Sequence, residues 1–242
     1  MEPGPTGSVL VDLHCHTSAS YDSLSSPASV VRVAHERGLS HLAITDHERI
    51  DGALRARDAA PRELAVIVGE EVRSRDGDVV GLFLERAVPA GQATLDTIAA
   101  IHDQGGLAGI AHPFDRFRAS GLARLPEAER EAVLEAIDYL EIFNARVPYP
   151  AANERAATLA AAHAVPGVAA SDAHTLLEVG VAYTILPGPV DDAAALRAAL
   201  PSARFVTGRG SFVVRAAMPF VKLVQYARGN RRVARTLPDV PR

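Results

Sequence analysis

Short apolar runs recur along the chain, and most are separated by stretches long enough for a helix. The runs are VLVDLH (9–14), LSHLAITD (39–46), LAVIVGEEV (64–72), DVVGLFL (78–84), LAGIAH (107–112), YLEIFNA (139–145), VPGVAASD (165–172), VAYTIL (181–186) and ARFVTG (203–208). Most are apolar at successive positions rather than alternating. That is the pattern of strands buried on both faces, and so of a parallel sheet flanked by helices. Helical stretches lie between them. PASVVRVAHER has Ser26 as its expected N-cap, Pro27 in the first turn and Gly38 just past the end. LDTIAAIHDQ, EAEREAVLEAI, NERAATLAAAHA and DAAALRAAL read as further helices. Strand-helix alternation over 242 residues predicts an α/β fold of barrel size.

No repeat, low-complexity linker or charge block divides the chain. One domain over residues 9–228 is expected, after a flexible N-terminus (1–8) and before a basic C-terminal tail (229–242). The stretch from Phe212 reads as an amphipathic helix that closes the fold, although Pro219 interrupts its pattern. Hydrophobic residues make up 48% of the chain, enough for a sizeable core. A net charge of −4 and a pI near 6.1 argue against a long nucleic-acid partner. The single cysteine allows no internal disulfide and suits a reducing compartment. MEPGPTGS lacks the basic and apolar regions of a signal peptide, and no run approaches the ~18 apolar residues of a membrane span. The expectation is a cytoplasmic protein.

The chemistry concentrates where the runs end. His14 and His16 follow the first run at i and i+2 and share a face. Asp46 and His47 end the second, Glu70 and Glu71 lie in the third, His112 ends the fifth, and Asp172 and His174 follow the seventh. In parallel strands these groups converge on the carboxyl end of the sheet, where α/β barrels place active sites. His35, His41, His102 and His163 lie in helices or at a strand start and read as packing or surface residues. So many imidazoles and carboxylates in one place stay unsatisfied unless they share a cation. Imidazole with carboxylate suits zinc, manganese or iron, and the set exceeds the needs of one tetrahedral ion. Metal-assisted hydrolysis is the chemistry implied.

In order, HCHTSASYDS, LAITDH, GEEV, GLFL, AHPF, EIFNAR and SDAH resemble the polymerase and histidinol phosphatase (PHP) superfamily, from about residue 10 to residue 210. The resemblance implies a distorted seven-stranded TIM-like β/α barrel with two or three divalent ions at its mouth (Mn, Zn or Fe; Mg possible) and phosphoester hydrolysis by a metal-bridging hydroxide. By position, His14, His16, Glu71 and Asp172 hold the first ion. Glu71 bridges to a second with His112, and Asp22, His47 and His174 hold the third. His174 and Asp22 stand at the leaving group, as ligands or as acid and base. One departure is Asp78, at a position usually held by histidine: it is either a carboxylate ligand or a solvated turn residue. Glu70 points to the opposite face, and Cys15 belongs to the core.

Arg116 and Arg118, just after His112, are candidates for gripping a substrate phosphate. Asn144 and Arg146 are further candidates, with Asn144 lining the metals. The resulting expectation is a metal-dependent phosphatase of a phosphorylated small molecule or nucleotide. An exonuclease or oligonucleotide phosphatase, and a non-catalytic regulatory module, are the alternatives. The last would be expected to have lost several ligands, whereas all but one position is filled.

Overall fold

The computed structural model describes residues 7–118, 122–123, 125–210 and 212–231. Most of the expected flexible N-terminus and basic tail lies outside these residues. All nine apolar runs form strands: β1 (Ser8–Asp12), β2 (His41–Ile44), β3 (Ala65–Arg73), β4 (Asp78–Leu82), β5 (Leu107–Ile110), β6 (Tyr139–Asn144), β7 (Gly167–Ala170), β8 (Tyr183–Pro187) and β9 (Arg204–Val206). The helices are α1 (Pro27–Glu36), α2 (Asp51–Ala59), α3 (Thr94–His102), α4 (Glu127–Ala136), α5 (Pro150–Ala162), α6 (Ala193–Ala199) and α7 (Phe212–Ala227). Ser26 caps α1 as expected, its side chain accepting from the Ser29 amide. α2 was not expected. Its buried residues are Gly52, Ala53 and Ala56, too small to give an apolar stripe in the sequence. Pro219 lies inside α7.

The strands form one sheet in the order β7-β6-β5-β4-β3-β2-β1-β8-β9. It curls into a nearly closed barrel. At the seam Cys15 and Ala173 form a parallel bridge, and the His16 amide donates to Ala173 O at 2.8 Å. The sheet is mixed rather than wholly parallel: β4 is antiparallel to both neighbours, and β8 to β1 and β9. The reason is the length of the link. Only Ser74–Gly77 separate β3 from β4, which permits a hairpin but no helical crossover. The reversal brings the amino end of β4, with Asp78, to the carboxyl ends of its neighbours.

Val11, Ala43, Ile67, Val80, Leu82, Leu107, Tyr139, Val168 and Leu186 meet inside the barrel, with Leu196 and Leu200 packed on the same cluster. A second cluster lies between sheet and helices and includes Val30, Leu42, Ile44, Ile98, Leu134 and Cys15. Burying a Leu, Ile or Val contributes about 1.5–3 kcal/mol, so both faces of the sheet are anchored. Polar groups are left to the strand ends.

Candidate metal centre

The extensions of β1, β2, β3, β5 and β7 carry the chemistry. Three groups of side chains bring ligand atoms within 4.8 Å of one another: His14, His16 and Asp172; Glu71, Asp78 and His112; and His16, Asp22, His47 and His174. All nine metal-ligand candidates from the sequence therefore meet at one end of the barrel. His112 and Asp172 hold positive φ angles of 30° and 51°, a conformation that L residues adopt at a cost and that collects at functional sites.

The innermost group converges on a point. His14 Nε2 and His16 Nε2 are 3.0 Å apart, each lies 3.3 Å from Glu71 Oε2, and Asp172 Oδ1 stands 3.7 and 3.5 Å from the two. The far nitrogens are committed elsewhere. His14 Nδ1 donates to Glu141 Oε1 at 2.5 Å, and His16 Nδ1 to Ser20 Oγ at 3.0 Å. Ser20 passes its own hydrogen to Asp46 at 2.7 Å, which fixes the direction of that chain. Both Nε2 atoms then face each other and two carboxylates, an arrangement in which a shared cation can take the place of the imidazole protons. Asp172 Oδ1 and Asp22 Oδ1 are buried and accept no hydrogen bond, so each keeps capacity for a metal. The donor set fits zinc, manganese or iron.

Next to this point, His112 Nε2 lies 3.0 Å from Glu71 Oε1. Asp78 is buried beside them, but both its oxygens accept from Arg73, at 2.6 and 2.9 Å. It is thus neither a solvated turn residue nor a free ligand. On the outer side Asp22 stands 3.5 Å from His47 and 3.3 Å from His174. His174 Nδ1 donates to Asp172 O at 2.9 Å, which leaves the Nε2 lone pair facing Asp22 across the space a cation would fill.

Charge is distributed accordingly. Burial disfavours the anion of Glu71, yet His47 and His14 outweigh it and hold the carboxyl well below its usual value. Asp172 is likewise held down against burial, by Arg118 and His14. His47 loses by burial but gains more from Asp22 and Glu71, and rises to about 9. Burial and the Arg146 charge push His174 down to about 3, so it is a neutral imidazole.

A cavity of 530 Å³ opens above these groups, lined by Asp22, His47, Glu71 and His174 on the metal side and by cations opposite. Arg116 is there as expected, resting on the Tyr149 ring at 4.6 Å. Arg118 also lines it but ion-pairs with Asp172, so it contacts a candidate ligand rather than facing solvent. Arg146 is nearly buried; its Nε and one terminal nitrogen make no hydrogen bond, and that terminal nitrogen stands 4.0 Å from Glu178 Oε2. Asn144 lies below the cavity, donating to Glu141 Oε2 at 2.9 Å and Asp172 Oδ2 at 3.0 Å, and so braces one candidate ligand. Arg73 and, from α7, Arg215 and Lys222 complete the wall.

Sequence reasoning missed Glu141, which accepts from His14, His112 N and Asn144. The available signal was a lone charge within the apolar strand YLEIFN. It also missed the supporting role of Asp46, which takes hydrogen bonds from Thr17 N, Thr17 Oγ1 and Ser20. Asp46 is packed so closely on α2 that a Cβ at Gly52 would lie 1.9 Å from its Oδ2. The cavity face of α7 carried no signal that it would meet the metals. Cys15 is core, and Glu70 faces away and accepts from Val88 N at 2.8 Å, both as expected.

Comparison with known proteins agrees with this geometry. The PHP domain model matches residues 12–147, and a PHP-associated model matches residues 150–205. An uncharacterized protein of Methanocaldococcus jannaschii is 30% identical over 173 residues, spanning 72% of this chain and 68% of that one. A 5'-3' exoribonuclease of Haemophilus influenzae is 31% identical over 121 residues, 45% of this chain and 44% of its own. Among solved structures, a two-domain protein of Bacteroides vulgatus, described as containing a predicted PHP-like metal-dependent phosphoesterase, superposes with a TM-score of 0.71 at 18% identity. That superposition covers 86% of this chain and 68% of the other. The chain belongs to the PHP domain family. It has the barrel of that family and residue clusters suited to the metals on which PHP phosphoesterases depend.

Proposed function

We propose that the protein is a metal-dependent phosphoesterase that hydrolyses a phosphomonoester of a small molecule or nucleotide. The observation that carries this reading is the convergence of His14, His16, Glu71 and Asp172 beneath a cavity walled by cations. In this reading His14, His16, Glu71 and Asp172 hold one ion, Glu71 and His112 a second beside Asp78, and Asp22, His47 and His174 a third. Such ions, when bound, activate water and neutralise the charge that develops on a phosphoryl group.

The chain's own residues do the rest. Arg116 and Arg146 receive phosphate oxygens from the open side, and guanidinium suits that planar, two-point contact. Arg118 balances Asp172 and turns part of its fork to the substrate. Asp22 and His174 stand 3.3 Å apart at the leaving-group side, either as ligands or as the pair that manages the leaving oxygen's proton.

A second reading, an exonuclease or oligonucleotide phosphatase, is favoured by one feature. A further hollow of 290 Å³ shares Tyr21 and His47 with the main cavity and continues past Arg49 to Arg231. It offers the Tyr21 ring and two arginines, set beside Glu48 and Asp51, as a path for a short single strand, and the Haemophilus relative is named an exoribonuclease. The test is phosphate release from phosphomonoesters, 3',5'-nucleoside bisphosphates and short oligonucleotides, using metal-stripped protein with and without manganese. Metal-dependent turnover of monoesters supports the first reading, and preference for oligonucleotides the second. No release with any of them, despite bound metal, would overturn both and leave a binding role.

A further inference from the structure

The loop from Thr17 to Ser23 follows the two histidines after β1 and carries Tyr21 and Asp22 into the cavity. Its side chains are tied inward. Thr17 and Ser20 bind Asp46, and Ser23 Oγ donates to His174 O at 2.9 Å. Several of its carbonyls turn the other way, toward the end of α7. The side-chain nitrogen of Gln225, a residue 2% exposed, lies 3.0 Å from Ser18 O and 2.9 Å from Ser20 O, and also meets Ser23 O. Just past the helix, the Asn230 amide nitrogen lies 3.3, 2.9 and 3.1 Å from Ser18 O, Ala19 O and Ser20 O, which share its two hydrogens.

Two side-chain amides thus serve four carbonyls of one short loop. Buried backbone oxygens without a donor are costly, so the loop's course depends on these partners. Both donors lie beyond residue 205, where the second family match ends. Within the matched regions Arg49 reaches one of these carbonyls, Ala19 O, at 3.3 Å; among the described residues Ser18 O, Ser20 O and Ser23 O take their side-chain donors from beyond residue 205.

We propose that Gln225, assisted by Asn230, is a positioning residue for the outermost metal site. It holds the loop so that Asp22 stands within 3.3 and 3.5 Å of His174 and His47, and so sets the affinity of the ion those three residues share. The inference rests on the reading of Asp22, His47 and His174 as ligands. It makes α7 a working part of the centre rather than a lid on the fold.

The test needs no substrate. Metal-stripped full-length protein, wild type and variants, is titrated with manganese, and ions bound per chain and their affinities are read directly. Gln225→Met keeps the volume and removes the donors; Asn230→Ala trims the milder half of the clamp. Asp22→Ala identifies the outer ion. One ion, the same one lost in Asp22→Ala, is expected to bind about tenfold or more weakly in Gln225→Met, and somewhat more weakly in Asn230→Ala. The other ions keep their affinities. Unchanged affinity for every ion in Gln225→Met would overturn the clamp while leaving the ligand reading intact. Parallel loss of all ions in both variants would also overturn it, because that reports general loosening. A wild type whose ions are all indifferent to Asp22→Ala would overturn the ligand reading, and the clamp with it.

Discussion

Glu70 and Glu71 are neighbours in β3, both nearly inaccessible to solvent, and they behave as opposites. Glu71 faces His14, His47 and His112 and stays anionic well below the ordinary carboxylate range, despite its burial. Glu70 faces the back of the sheet, where burial dominates and one amide from Val88 is too little. Its pKa rises to about 8. Alternation along one strand thus separates an anion poised for metal from a carboxyl that is mostly neutral at pH 7. Burial alone does not mark a functional carboxylate. Convergent cationic or metal-seeking partners do.

The comparison can be broken from its front. Glu71→Gln removes the charge and one of the two oxygens that face two groups of candidate ligands, and Asp172→Ala removes the other inner anion. Either should lower phosphoester hydrolysis by on the order of 10³-fold, about 4 kcal/mol of transition-state stabilisation, and release metal. Near-normal turnover with full metal content in either variant would end the assignment. Glu141→Gln acts one step back, weakening the acceptor of the His14 proton. Metal affinity should fall about 10- to 100-fold with the fold intact, as read by metal titration beside a thermal melt.

Asp78→His sharpens the question of the middle group. It frees the site from the Arg73 ion pair and supplies an imidazole beside Glu71 and His112. A roughly tenfold tighter second ion is expected. Unchanged binding would show that position 78 serves only to hold Arg73. The smallest effect belongs to the back of the strand. Because folding raises the Glu70 pKa, the folded state holds its proton between the unfolded value near 4.5 and about 8, and stability declines as pH rises through that window. Between pH 6 and pH 7 the wild type should lose about 1 kcal/mol that Glu70→Gln retains, with activity changed less than about twofold. A Glu70→Gln melt with the same pH slope as wild type would show that some other group carries it.

The strands were legible because burial on both faces leaves continuous apolar runs, and the candidate ligands because histidine and aspartate stand out where such runs stop. Strand direction was read less well. The runs around β4 look alike whether parallel or antiparallel, and the deciding signal was the four-residue link Ser74–Gly77 with its Asp-Gly pair. α2 escaped because its buried side chains are alanine and glycine. Within the site, first-contact residues could be read but their supports could not. Glu141, Asp46 and Gln225 act through partners 127, 29 and more than 200 positions away, and no local pattern encodes such pairings. The helical spacing of Arg215, Met218 and Lys222 does place them on one face, but only the tertiary structure shows that this face meets the cavity.

That helix also has a meaning for how such barrels diversify. It supplies part of the cavity wall and both loop-holding amides, yet it lies past the two regions recognised as the family's own. A barrel that keeps its candidate ligands on strand ends and delegates part of its wall to an appended segment can change that wall as long as the two loop-holding amides are kept. Residues 212–231, with Gln225 and Asn230 retained, are therefore a natural cassette to exchange between relatives when the aim is to change what the cavity admits while the strand ends stay where they are.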